Sequence, residues 1–298
     1  MRAYYEQNTA WFSLVRRRNH NPAIHRPVWA EGVTGREDAL NFVNAQIAQQ
    51  VTTLRSGAMD NGTTTVLDLG CGFGATVHYL GRRFREKVAA FGMTISRQQA
   101  RIAQDRAQEL GLQNCTFIEG DFQNVPIGAG IDLICSVEAF AHAYTPHRYM
   151  AEAARLLKPG GRLILCDDFR AAPPATVNGR TSSARWLALF QEGWHVPHLL
   201  TAQDVSQLAQ TNGLSPVANI DFSPYLHMRP FPQAAIPLFE AAMHHSGALT
   251  ATFESVLGGF ALEECIRQGL VQYRFLVFEK TTDDGRRTTD LAKTAVSV

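Results

Sequence analysis

From Thr65 onward, short apolar runs alternate with longer stretches whose apolar positions recur at helical spacing. This alternation predicts an α/β fold, a mostly parallel sheet with helices on both faces. The apolar runs place strands at Thr65–Leu69, Val88–Met93, Cys115–Glu119, Ile131–Val137 and Arg162–Asp167. Runs near Pro216–Phe222 and at Gln272–Glu279 bring the sheet to seven strands. Helical spacing covers Ala75–Phe84, Ser96 to about Leu110, about His147–Leu157 and Ala202–Thr211. Lys158-Pro159-Gly160-Gly161 reads as a turn into the fifth strand.

Residues 1–60 precede the sheet and read as an N-terminal helical arm. Tyr4–Arg18 has a helical pattern, and Asn19–Pro22 breaks it. The loop Ala23–Gly32 follows, rich in aromatic and polar groups. Thr34 stands as a helix cap with Glu37 at the capping-box position, and the helix behind it runs to about Leu54. Residues 61–280 form the α/β domain, with two insertions at about 170–200 and 225–269. The second holds helical stretches near Ala234–His245 and Thr250–Arg267. The polar tail, 281–298, is expected to be disordered.

The net charge of +1 over 298 residues gives no electrostatic case for a nucleic-acid partner. No apolar run reaches the ~18 residues that a membrane span needs, and the first residues carry no signal-like core. The five cysteines include no C-x-x-C pair, so they read as buried reduced thiols in a cytoplasmic protein. No spacing of His and Cys suggests zinc.

The candidate chemistry begins at Asp68-Leu69-Gly70-Cys71-Gly72-Phe73-Gly74-Ala75, between the first strand and a helix. A glycine turn at that place lets a ligand approach the backbone. Gly70, Gly72 and Ala75 fit the loose dinucleotide pattern, but Val88–Ser96 lacks the acid expected ~20 residues on. Asp68–Gly74 instead resembles the D-x-G-x-G-x-G motif of class I S-adenosylmethionine-dependent methyltransferases. Leu156-Leu157-Lys158-Pro159-Gly160-Gly161 resembles the segment before their fifth strand.

This resemblance covers about Thr65–Asp168 and implies a Rossmann-like fold whose arm and insertions form a lid. It implies that S-adenosylmethionine lies beside the backbone of Gly70, Cys71 and Gly72, with Asp68 toward its ammonium group. Gly92-Met93-Thr94-Ile95-Ser96-Arg97-Gln98-Gln99 resembles the G-x-T-x-S-x-x-Q of the branch with cyclopropane synthases and sterol and prenyl diphosphate C-methyltransferases. Thr94 and Gln99 are then cofactor contacts. Gly120-Asp121-Phe122 matches the family's G-D-x, with Asp121 on the adenine amino group and Phe122 on the adenine face.

The fourth strand leads into Glu138, where methyl group and acceptor meet in this family. Methylating an alkene carbon leaves a carbocation, which a carboxylate and aromatic faces stabilise. Glu138 with Phe140, Tyr144, Trp186 and Trp194 could supply them, and prenyl diphosphate C-methyltransferases carry a Glu at this place. His142 is a second candidate base. His25, Arg26 and Trp29, with the Arg16–Arg18 run, could hold a diphosphate, alone or with Mg2+. The plain alternatives are a surface acid for Glu138, a structural His142 and a solvated arginine run. The expected activity is C-methylation of an isoprenoid acceptor. O- or N-methylation of an aromatic or polyketide-type product is the alternative, and a cofactor-binding protein without activity is a third reading. The long arm could pack on a second copy in a homo-oligomer.

Overall fold

The structure, a computed structural model, describes residues 25–57, 62–172, 181–228 and 250–281. The expected helices at Tyr4–Arg18 and Ala234–His245, the Arg16–Arg18 run and the tail beyond residue 281 lie outside the described residues.

Seven strands form one sheet in the order β3-β2-β1-β4-β5-β7-β6. They are β1 (Thr64–Leu69), β2 (Val88–Thr94), β3 (Cys115–Glu119), β4 (Ile131–Val137), β5 (Leu157–Arg170), β6 (Leu214–Asp221) and β7 (Val271–Lys280). All neighbours are parallel except β7, which runs antiparallel to both β5 and β6. The chain order reverses between β1 and β4, and ligands of open α/β sheets bind at the strands' carboxyl ends beside such a switch point.

Strand side chains alternate between two cores. Val66, Leu133, Ile164 and Val277 face one, and Leu67, Ile134, Leu163 and Leu276 face the other. The first core is covered by α1 (Arg36–Gly57), α2 (Ala75–Phe84) and α3 (Arg97–Glu109). It is extended by α5 (Thr181–Gly193) and α7 (Thr250–Arg267). The second lies under α4 (Pro146–Leu156) and α6 (Ala202–Gln210). Burial of each such Leu, Ile or Val stabilises the fold by roughly 1.5–3 kcal/mol.

Two expectations from sequence need correction. The helix α1 begins at Arg36, and the Gly35 carbonyl accepts from the Ala39 N–H at 2.9 Å. Gly35 therefore holds the capping position, and Thr34 lies outside it. A capping box does form elsewhere, between Thr201 and Asp204 at the start of α6. Secondly, the Lys-Pro-Gly-Gly segment belongs to β5 instead of preceding it. The pairing jumps from Ile131↔Leu157 to Leu133↔Arg162, so Lys158–Gly161 forms a bulge, with Gly160 at φ 75°. The helix α5 falls within an insertion for which no helix was expected. Among the described residues, no helix is long and apolar enough to cross a membrane.

Candidate active site

At the end of β1 the chain must turn sharply back into α2. Gly70, Gly72 and Gly74 take φ values of 90°, 52° and 80°, a region costly for residues with a Cβ. Space forbids a side chain at two of them as well. A Cβ on Gly70 would lie 2.3 Å from Ala139 Cβ, and one on Gly74 would lie 2.4 Å from Phe117 Cε1. The N–H groups of Gly70 and Cys71 both donate to the Met93 carbonyl at 2.9 Å, which ties the turn to β2.

A cavity of about 300 Å³ opens beyond this turn. Asp68, Gly70, Cys71, Gly72, Thr94, Gln99, Asp121 and Phe122 line it, as do Glu138, His142, His25, Tyr144 and Trp194. Arg26, Trp29 and Trp186, also singled out from sequence, are not among its lining residues. Arg26 lies one layer behind, against Glu138. Trp29 stacks on His227 with ring centres 4.8 Å apart. Trp186 is buried in the core beneath α5. Pattern reading missed Ser255, Gln123, Thr76 and Ile95 in the lining. Thr76 and Ile95 adjoin the matched motifs, whereas Ser255 carried no signal.

One half of the cavity is built from the carboxyl ends of β1, β2 and β3. Asp68 is buried, its Oδ1 meets no partner among the described residues, and burial pushes its carboxyl up to about 7. The Thr94 hydroxyl donates to Gln99 Oε1 at 2.8 Å, which leaves the buried Gln99 Nε2 without an acceptor among the described residues. Asp121 is exposed, and its Oδ1 accepts from the Gln123 N–H at 2.9 Å. Phe122 stands edge-on to Tyr149 at 5.3 Å. Burial holds the Cys71 thiol well above its ordinary range, so it stays protonated.

These orphaned groups suit S-adenosylmethionine. A buried acceptor awaits a cation, a buried donor awaits an acceptor, and a glycine turn admits close approach. A buried polar atom without a partner costs ~1–3 kcal/mol, and a ligand that pairs it recovers that cost.

The other half centres on Glu138, a non-glycine residue at φ 50°. Its N–H donates to the Cys166 carbonyl at 2.8 Å. Its Oε1 accepts from the Arg26 backbone N–H at 2.9 Å and from Arg26 Nε at 3.4 Å. Arg26 Nη2 in turn donates to Asp168 Oδ2 at 2.5 Å. Burial alone would push the Glu138 carboxyl up, but the Arg26 cation and His25 bring it below its ordinary value, so it is ionised. Burial takes His142 down to about 4, against backbone groups of His195 and Trp194 that oppose the shift. His25 is also lowered, by burial first, with Glu138 opposing. The Glu138 carboxylate and two neutral imidazoles thus line the same cavity.

The roof comes from the insertions. Trp194 Nε1 donates to the Ser255 carbonyl at 2.9 Å, across α5 and α7. The His198 ring meets the Tyr144 carbonyl at 3.2 Å, which joins this roof to the segment after β4. Among the described residues, no group of three or more His, Cys, Asp or Glu is placed to hold a metal ion.

Comparisons with known proteins bear on the family and the fold. The methyltransferase domain family matches residues 60–223. The 27-O-demethylrifamycin SV methyltransferase of Amycolatopsis mediterranei is 27% identical over 80% of this chain and 83% of its own. The chain spans only 60% and 37% of the lengths of two other curated relatives. Among solved structures, the cyclopropane synthase MmaA2 of Mycobacterium tuberculosis superposes with a TM-score of 0.67 at 20% identity, covering 94% of this chain and 96% of that one. The geranyl diphosphate C-methyltransferase of Streptomyces coelicolor A3(2) reaches 0.61 at 18%, covering 93% and 98%. With fold and family match in agreement, the chain belongs to the methyltransferase domain family, on a Rossmann-like fold.

Proposed function

We propose that this enzyme methylates an alkene carbon of an isoprenoid acceptor. The observation that carries the reading is Glu138, an ionised carboxylate held at the cavity wall by Arg26. Bound S-adenosylmethionine supplies an electrophilic methyl group on a positively charged sulfur. Asp68 would face its ammonium group, and Thr94 and Gln99 would hold its polar edge. Asp121 and Phe122 would take the adenine.

An alkene carbon that takes the methyl group leaves the positive charge on its neighbour. Glu138 stabilises that charge and then accepts the proton whose loss restores the double bond. Tyr144 and Trp194 also line the cavity, and an aromatic ring facing the cation would stabilise it further. His142, neutral at working pH, is a further proton acceptor.

A diphosphate on the acceptor finds no Lys or Arg among the cavity's lining residues, since Arg26 is engaged with two carboxylates. Among the described residues no three His, Cys, Asp or Glu are grouped to hold a metal ion, and no step is assigned to Mg2+. A diphosphate grip would fall to the Arg16–Arg18 run, outside the described residues. The buried, unpaired state of all five cysteines suits a reducing compartment such as the cytoplasm.

The second reading is O-methylation of a natural-product hydroxyl. It is favoured by the neutral His142 and by the relative that acts on a rifamycin. A panel with S-adenosylmethionine and isopentenyl, geranyl and farnesyl diphosphates, the matching free alcohols, and phenolic polyketides separates the two by product mass and fragmentation. A methylene gained on a prenyl carbon supports the proposal. Methyl ether formation on a hydroxyl, with no carbon product, overturns it.

A further inference from the structure

The segment 25–30 lies before α1, yet it is tied both to that helix and to the turn after β6. The Val28 N–H donates to the Ala39 carbonyl at 2.9 Å, and the Trp29 N–H to the Tyr225 carbonyl at 2.8 Å. These bonds deliver Arg26 to the gap between the ends of β4 and β5. There its guanidinium joins Glu138 to Asp168 and lies 4.4 Å over the Tyr273 ring. Arg26 is absent from the cavity lining, whereas Glu138 is present.

We propose that Arg26 is a positioning residue, which aims the Glu138 carboxylate into the cavity and keeps it ionised there, in place of binding substrate itself. The proposal rests on Glu138 being the group that meets the acceptor.

Three features of the geometry support it. Two donors of Arg26, one from its backbone and one from its side chain, converge on a single oxygen of Glu138. Neither contact uses the other carboxylate oxygen. Glu138 sits at positive φ, so its backbone alone does not favour this pose. And the cation is shared with Asp168, whose own charge repels that of Glu138.

The charged and titratable groups around Glu138 come from every neighbouring element. They are His25 and Arg26 from the first segment, His142 from the turn after β4, Cys166, Asp167 and Asp168 from β5, and Tyr273 from β7. Of these, Arg26 is the permanent cation. Removing it leaves a buried carboxylate that desolvation drives toward the protonated form.

The test needs no acceptor. The side-chain carboxyl carbon of Glu138, labelled with carbon-13 and assigned by its loss in Glu138→Gln, is titrated by NMR in the full chain. Asp168→Asn is compared with Asp168→Asn/Arg26→Met, so that the two differ only in the cation. The expected midpoint lies below the ordinary glutamate value in the first and about one unit or more higher in the second. Asp168→Asn/Arg26→Lys, which keeps the charge and loses the fork, should fall between them, and it decides alone if the methionine variant does not fold. S-adenosylmethionine binding by calorimetry certifies the fold of each.

An unchanged midpoint without the guanidinium overturns the proposal. The outcome is separable from the role of Glu138 itself. Normal turnover by Glu138→Gln would remove that role while the titration still reports on Arg26.

Discussion

Gly70 and Ala139 touch across the switch point of the sheet. Any Cβ on Gly70 would lie 2.3 Å from that of Ala139, on a backbone already at φ 90°. The contact locks the glycine turn after β1 against the segment that carries Glu138, so the two halves of the cavity share a wall. Gly70→Ala must therefore shift both. The expected results are a loss of ~1–3 kcal/mol in unfolding free energy and at least about tenfold weaker S-adenosylmethionine binding, which is ~1.4 kcal/mol. Chemical denaturation and calorimetry read the two separately. Gly111→Ala is the control, because its φ of 66° carries the backbone strain while nothing lies within 4 Å of its Cβ position. It should cost stability without changing cofactor affinity.

Asp68 makes the stability of the ligand-free protein depend on pH with an unusual sign. Burial raises its carboxyl from an ordinary 3.8 to about 7, and Asp167 is raised to about 7 by burial and by the Asp168 charge. Between those limits the folded protein holds protons that the unfolded chain has released. Stability is then fully present below about 4 on account of these groups and falls as pH rises toward 7. Paired acids such as Glu138 act in the opposite sense at lower pH. Asp68→Asn should flatten part of the decline between pH 5 and 7, measured by urea unfolding without cofactor. An unchanged slope would remove Asp68 from this account.

Most of the sheet, and the gathering of the glycine turn with Thr94, Gln99, Asp121 and Phe122 at one cavity, were legible from sequence because both rest on local signals. The strands Cys115–Glu119 and Ile131–Val137 fall where the apolar runs place them, and the glycine turn is contiguous in sequence. What stayed hidden depends on contacts between distant residues. Arg26 reads as a phosphate ligand by residue type alone, but its partners lie 112 and 142 residues away. Trp186 reads as a site aromatic, yet α5 turns it into the core. Thr34 looks like a cap because Thr is a good one, while the chain begins α1 two residues later.

The roof depends on an unusually close approach of α5 to α7. A Cβ on Gly193 would lie 2.4 Å from the Glu254 carbonyl oxygen and 2.8 Å from Gly258 Cα. These are backbone atoms that cannot swing aside. Gly193→Ala should separate the helices and break the Trp194–Ser255 hydrogen bond of 2.9 Å, at a cost of ~1–3 kcal/mol. Trp194 and Ser255 line the cavity, while Asp68, Thr94 and Gln99 lie on the sheet side. The acceptor KM should therefore rise several-fold with S-adenosylmethionine affinity little changed. Equal loss of both would mean that the roof also holds the cofactor.

The two halves of the cavity should also separate in their response to pH. Glu138 is held below its ordinary value and His142 at about 4, so acidification from pH 8 to 5 changes the charge of neither. Asp68, near 7, takes up a proton across that range and must release it again to meet a cationic ligand. Affinity for S-adenosylmethionine should fall by up to about tenfold per unit below pH 7, while kcat at saturating cofactor stays flat. Proton release on binding, read by calorimetry in buffers of different ionisation enthalpy, should approach one per site at pH 5.5 and vanish at pH 8.5. Asp68→Asn should abolish it. A limb in kcat near pH 6.5 would instead place a titrating group in the transfer step, and His25 and Asp167 would be the two to replace.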